Sequence, residues 1–132
     1  NNFVKTMLKF GKEKKEIDIV SDQIGSPTYA QDLAEVILHI INSKNFKKKN
    51  QKTEIYHYSN QGNISWYEFA KEIFKIKNIN CKLNPILLNN YPNIAKRPKV
   101  SLMDKSKIIR NFEIKILDFR KSLESCLVKL KE

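Results

Sequence analysis

Apolar residues recur at helical spacing from the first positions of the chain: Phe3, Val4, Met7 and Leu8 predict a helix over residues 3–14. Glu16-Ile17-Asp18-Ile19-Val20 alternates instead, as a short strand does. The stretch "SDQIGSPTYAQDLAEVILHII", residues 21–41, then joins a Gly/Ser/Pro loop to an apolar helix with no spacer. Thr28 and Gln31 have the spacing of a capping box, and Leu33, Val36, Ile37, Ile40 and Ile41 make one apolar face, so a helix is expected to run to Ser43.

Ile55, Tyr56, His57 and Tyr58 suggest a strand closed by Asn60-Gln61-Gly62-Asn63. The clearest helix start follows. Ser65 and Glu68 form a second capping box, Ile64 and Phe69 stand at the positions of a hydrophobic staple, and Trp66, Phe69, Ala70, Ile73 and Phe74 share a face. Residues 82–88 read as a strand leading into a loop over residues 89–98. Asp104 is placed to cap a short helix to Asn111, and Asp118 a last one with Phe119, Leu123, Cys126, Leu127 and Leu130 on its inner face. Helices alternating with strands predict an α/β protein.

The 132 residues amount to one domain, and 41% apolar residues suffice for a core. Three Gly and four Pro leave no low-complexity linker. No apolar run approaches the roughly 18 residues of a membrane span, and no charged-then-apolar leader opens the chain, so a soluble, cytoplasmic parent with no membrane partner is expected. The chain opens Asn1-Asn2-Phe3-Val4, without Met and already inside an amphipathic pattern, which is the expectation for a piece of something longer. Cys81 and Cys126 have neither metal nor redox spacing and read as reduced, packed thiols.

A formal charge of +11 invites a nucleic-acid partner. Yet 22 of the 25 basic residues are Lys and three are Arg, whereas base and phosphate forks favour the guanidinium. The dense run Lys44–Lys52 holds one aromatic residue and reads as a solvated loop, with a phosphate-binding patch as the alternative. No nucleic-acid partner is expected.

Candidate chemistry is sparse. Gly11, Gly25 and Gly62 are too scattered for a dinucleotide or Walker A loop. His39 and His57 stand neither at metal spacing nor beside a nucleophile, and no metal site is expected. Tyr67-x-x-x-Lys71 matches the acid–base pattern of short-chain dehydrogenases, but falls in the first turn of a capped helix and reads as an ordinary aromatic. Two polar loops remain. Asp22-Gln23-Ile24-Gly25-Ser26-Pro27-Thr28 packs donors and acceptors at a helix start, which suits an anion or sugar hydroxyls, or is a plain strand-to-helix turn. Ala95-Lys96-Arg97-Pro98 offers a guanidinium suited to a pyrophosphate, or a simple surface Arg.

Four stretches, "NNFVKTML", "VSDQIGSPTYAQDLA", "YHYSNQGNISWYEFAKEI" and "YPNIAKRPKVSLMDKSKI", together resemble the dTDP-4-dehydrorhamnose reductases, members of the extended short-chain dehydrogenases. The resemblance runs from Asn2 to Leu127 and covers the second half of that family only. It implies that residues 1–132 are a single α/β domain, the C-terminal substrate-binding portion of an NAD(P)-binding Rossmann-fold enzyme whose Rossmann core half is absent. The implied parent passes hydride from NADPH (or NADH) to the C4 keto group of dTDP-4-dehydro-L-rhamnose, giving dTDP-L-rhamnose. No cofactor and no catalytic residue is expected on this portion. The implied substrate contacts are Asn2, Asp22, Gln23, Gly25, Ser26, Pro27, Thr28 and Arg97, with Arg97 on the pyrophosphate and Thr28 starting the helix that holds the loop. The strand around Tyr56 would be the last of the missing half's sheet. The isolated piece is expected to self-associate, and a homodimeric parent stays open. The competing reading is a non-catalytic relative, such as the regulatory subunit of methionine adenosyltransferase, that binds a partner protein.

Overall fold

The computed structural model describes residues 2–47, 52–90 and 97–130, in which five helices and five short strands form two compact units. The first unit comprises Asn1–Gly25, Asn63–Leu102 and Leu127–Glu132; the second comprises Ser26–Gly62 and Met103–Cys126. The α/β class is as expected. Among the described residues no helix is long and apolar enough to cross a membrane.

In the first unit, α1 (Phe3–Glu13) starts at Asn2, whose side chain accepts the Lys5 N–H at 3.0 Å. It packs against α3 (Trp66–Lys77), which buries Phe69, Ala70, Ile73 and Phe74 as its spacing predicts. Ser65 caps α3 by accepting the Glu68 N–H at 3.1 Å; the Glu68 carboxylate pairs with Lys71. Asn78 ends α3 in the left-handed region, at φ 51°, and lets the Ile79 N–H return to the Phe74 carbonyl. At Gly11 a Cβ would lie 2.8 Å from the Phe74 ring and from Ile79, so only a glycine fits there without a shift.

Strand β1 (Glu16–Val20) pairs in parallel with β4 (Lys82–Ile86), Glu16 opposite Lys82 and Val20 opposite Ile86. Pro85 is tolerated in β4 because a two-stranded sheet is all edge. The last residues of the expected strand turn instead into a 3-10 helix, Leu88–Asn90. A second small sheet was not foreseen: β2 (Ile24–Gly25) lies between β3 (Ile64–Ser65), antiparallel, and β5 (Val100–Ser101), parallel.

In the second unit, Ile108 and Phe112 of α4 (Ser106–Phe112) and Ile114 form a core joined by Val36 and Ile40 of α2 (Ala30–Asn42), Tyr56, Tyr58 and Ile116. The expected inner face of α2 is only partly inner. Val36 and Ile40 pack on the core, whereas Leu33, Ile37 and Ile41 are 37%, 47% and 45% exposed, and the residue α2 buries is Asp32.

The expected capping box at Thr28 is also not formed. Tyr29 occupies the N-cap of α2, its N–H goes to the Asn60 side-chain oxygen at 2.8 Å, and Gln31 bonds Glu35. Asn60 belongs to a buried knot: its amide nitrogen and the Ser122 hydroxyl both donate to the Asp32 carboxylate. Ile55–Tyr58 pairs with no other strand and forms none among the described residues. Gly62 has φ +102°, and a Cβ there would meet the ring of Phe119, the first residue of α5 (Phe119–Lys129). Asp118 caps α5 as expected, accepting the Arg120 N–H at 2.9 Å. Cys81 and Cys126 are not joined in a disulfide.

Candidate functional site

The face of α1 that meets β1 does not close completely. A groove of about 520 Å³ opens there within the first unit, floored by Met7 and Phe10 of α1 and by Ile17, Ile19 and Val20 of β1. Helical spacing puts Phe3, Thr6, Met7 and Phe10 on that one face. Phe3 and Trp66 stand at the edge of the groove with ring centroids 4.7 Å apart, tilted by 50°; Trp66 is 42% exposed. The result is an apolar slot with aromatic walls.

Polar groups gather on its rim. Asn2, Thr6, Asp18, Gln23 and Arg97 all line it. Asn2 holds the first turn of α1 with its side-chain oxygen, while the Thr6 hydroxyl donates to the Asn2 carbonyl at 3.0 Å. Gln23 donates from Nε2 to the Pro98 carbonyl at 3.4 Å, next to Arg97. Asp18 accepts from the Asn84 amide at 3.1 Å. Outside the groove, on the same sheet, hydrogen bonds from Asn84 and Lys82 hold the Glu16 carboxyl below its ordinary pKa. A concave apolar floor with a few convergent polar groups is the usual form of a small-molecule site, and a guanidinium on the rim selects for an anionic group.

Three of the expected contacts, Asn2, Gln23 and Arg97, are therefore brought together. Asp22 and Gly25 belong to the same unit but line no part of the groove. The Asp22 carboxylate accepts the Leu88 N–H at 2.8 Å, and Gly25 pairs with Ser101 in β2. Ser26, Pro27 and Thr28 belong to the second unit, where the Thr28 hydroxyl donates to the Ser26 carbonyl at 3.5 Å. Ala95 and Lys96 of the second polar loop, like Lys48–Gln51 of the lysine run, lie outside the described residues. Phe3, Thr6, Asp18, Trp66 and Leu88 line the groove without having been singled out as contacts; for Phe3 and Thr6 the signal was the helical face they share with Met7.

The Lys71 ammonium binds Glu68 at 3.3 Å and lies 5.4 Å from the Tyr67 ring centre, an i, i+4 arrangement on a helix surface.

A family model described as the RmlD substrate binding domain matches residues 1–132. The chain belongs to that family. A dTDP-4-dehydrorhamnose reductase of Aggregatibacter actinomycetemcomitans is 38% identical to this RmlD substrate-binding domain over 132 residues, which is 95% of this chain and 44% of the relative. Among solved structures, a dTDP-4-dehydrorhamnose reductase from Bacillus anthracis in complex with NADP superposes with a TM-score of 0.86 at 37% identity, covering 99% of this chain and 44% of the other. An orthologous reductase from Clostridium acetobutylicum gives a TM-score of 0.85 at 35% identity, covering 98% and 45%. The RmlD substrate-binding domain thus spans less than half the length of these relatives.

Proposed function

We propose that this chain is the sugar-nucleotide-binding part of a dTDP-4-dehydrorhamnose reductase, and that the groove between α1 and β1 takes the nucleotide. The observation that carries the reading is the convergence of Asn2, Gln23 and Arg97 on one apolar, aromatic-walled slot in a chain of this family. The Arg97 guanidinium pairs with the pyrophosphate, the Asn2 and Gln23 amides bond oxygens beside it, and the slot takes the flat base. Ser26 and Thr28 are further contacts on the resemblance alone. The named relatives are reductases, which supports this reading over a regulatory, protein-binding one.

The parent's reaction is hydride transfer from NADPH, or NADH, to the C4 keto group of dTDP-4-dehydro-L-rhamnose. Residues of this chain do not fit that cofactor. Gly11 lies inside α1, Gly25 ends β2 and Gly62 precedes β3, so they form no glycine cluster of the kind that receives a dinucleotide pyrophosphate. No chemical step is routed through these side chains; they bind and orient.

Calorimetric titration with dTDP is the test. The unaltered chain should bind, and Arg97→Ala should weaken binding about tenfold to a hundredfold, the worth of a charge-assisted hydrogen bond. In a full-length reductase the same change should raise KM for the sugar nucleotide and leave NADPH affinity alone. Equal affinity for dTDP with and without Arg97 removes the groove from consideration.

A further inference from the structure

Residues Ser21–Ile24 are bonded to both feet of the segment that carries Arg97. On the incoming foot, Ser21 donates from its backbone N and its hydroxyl to the Ile86 carbonyl, at 2.9 and 3.1 Å. Asp22 Oδ1 accepts the Leu88 N–H at 2.8 Å, the first N–H of the 3-10 turn. On the outgoing foot, Gln23 reaches the Pro98 carbonyl and the Ile24 N–H donates to the Lys99 carbonyl at 2.7 Å. The Lys99 ammonium stands 3.9 Å from Asp22 Oδ2. One carboxylate therefore meets the chain as it leaves β4 and again two residues after Arg97.

That arrangement is ill suited to direct ligand contact. A carboxylate repels a pyrophosphate, and this one, 23% exposed, already accepts one N–H and faces an ammonium. We propose that Asp22 is a positioning residue. It sets the place from which the Arg97 guanidinium meets a diphosphate, and so governs how strongly the groove prefers a nucleoside diphosphate to a nucleoside. The inference rests on the reading of the groove as a sugar-nucleotide site. Of the two contacts, the Leu88 N–H carries the effect, because Lys99 is 73% exposed and its pairing is screened by water.

NMR titration of the full chain with dTDP, and separately with thymidine, tests this, since chemical shifts report weak binding. Asp22→Ala should weaken dTDP binding about tenfold and leave thymidine binding unchanged. Asp22→Asn, which keeps the acceptor, should stay within about twofold of the unaltered chain. In an Arg97→Ala background, Asp22→Ala should cost less than about twofold more, because what it positions is gone. If Asp22→Ala does not fold, Asp22→Leu removes the acceptor while keeping bulk, and the same outcomes apply. A full additive loss in the Arg97→Ala background, or equal weakening toward dTDP and thymidine, overturns the proposal. Arg97→Ala binding weakly while Asp22→Ala binds normally overturns the positioning role alone. Normal dTDP binding by Arg97→Ala removes the groove reading, and the positioning role with it.

Discussion

At the scale of single residues, caps show how far local sequence reaches. Asp104 precedes the N-cap of α4 and accepts both the backbone N–H and the hydroxyl of Ser106, at 2.8 and 3.0 Å. The backbone bond, then the hydroxyl bond, hold its carboxyl below the ordinary value. Unfolded, Asp104 takes up its proton near pH 3.9; folded, it does so lower. Its stabilising contribution is therefore complete above the unfolded value and is lost as pH falls through the lower native one. Thermal melts of the chain and of Asp104→Ala should differ above about pH 5 and converge toward pH 2. A difference independent of pH would mean that ionisation plays no part. Asp118 and Ser65 were legible as caps because the helix each serves follows at once; Asp104 stands one residue before the N-cap Lys105 and still receives the Ser106 N–H. The cap of α2 was not legible, because Asn60 supplies it from 31 positions away. Among the groove residues, Gln23 and Arg97 stood out as members of polar loops, and the family resemblance turned each loop from a plain turn or a surface Arg into a candidate contact. Nothing in their immediate neighbours says that Gln23 and Pro98 meet.

At the scale of elements, the long periodic segments were the readable ones. The face of α3 is as its spacing predicts, and β1 alternates as seen. The three two-residue strands were invisible, since a pairing that short leaves no period to detect. The same limit misplaced part of α2: apolar spacing cannot say that Asp32, engaged by two donors, would be turned inward while Ile37 faced out. Packing of α1 on α3 depends on the absence of a side chain at Gly11. Gly11→Ala gains roughly 1 kcal/mol of helix propensity but drives a methyl into Phe74 and Ile79, which costs about 1–3 kcal/mol. Urea denaturation should show a net loss of about 1 kcal/mol with an unchanged m-value. A gain would mean that the Phe74 ring can yield at no cost.

At the scale of the whole molecule, apolar surface is the property that matters in solution. Leu33, Ile37, Leu38 and Ile41 are all exposed on α2, and patches of that kind drive association. The chain is expected to self-associate as its concentration rises, and Ile37→Lys with Leu38→Lys to weaken that association. Sedimentation velocity across a hundredfold range of concentration would decide it; a monomer throughout would show that α2 is harmless as it stands. The route of the chain bears on how it is made. It leaves the first unit at Gly25, returns at Asn63, leaves again at Leu102 and returns at Leu127. A ribosome releasing residues in order completes neither unit before Cys126 has emerged. The floor of the groove is made well before Arg97, with the whole of α2 emerging between them. Long sequence separations of this kind slow folding, and β1 must wait for its partner β4 until the residues between them have emerged.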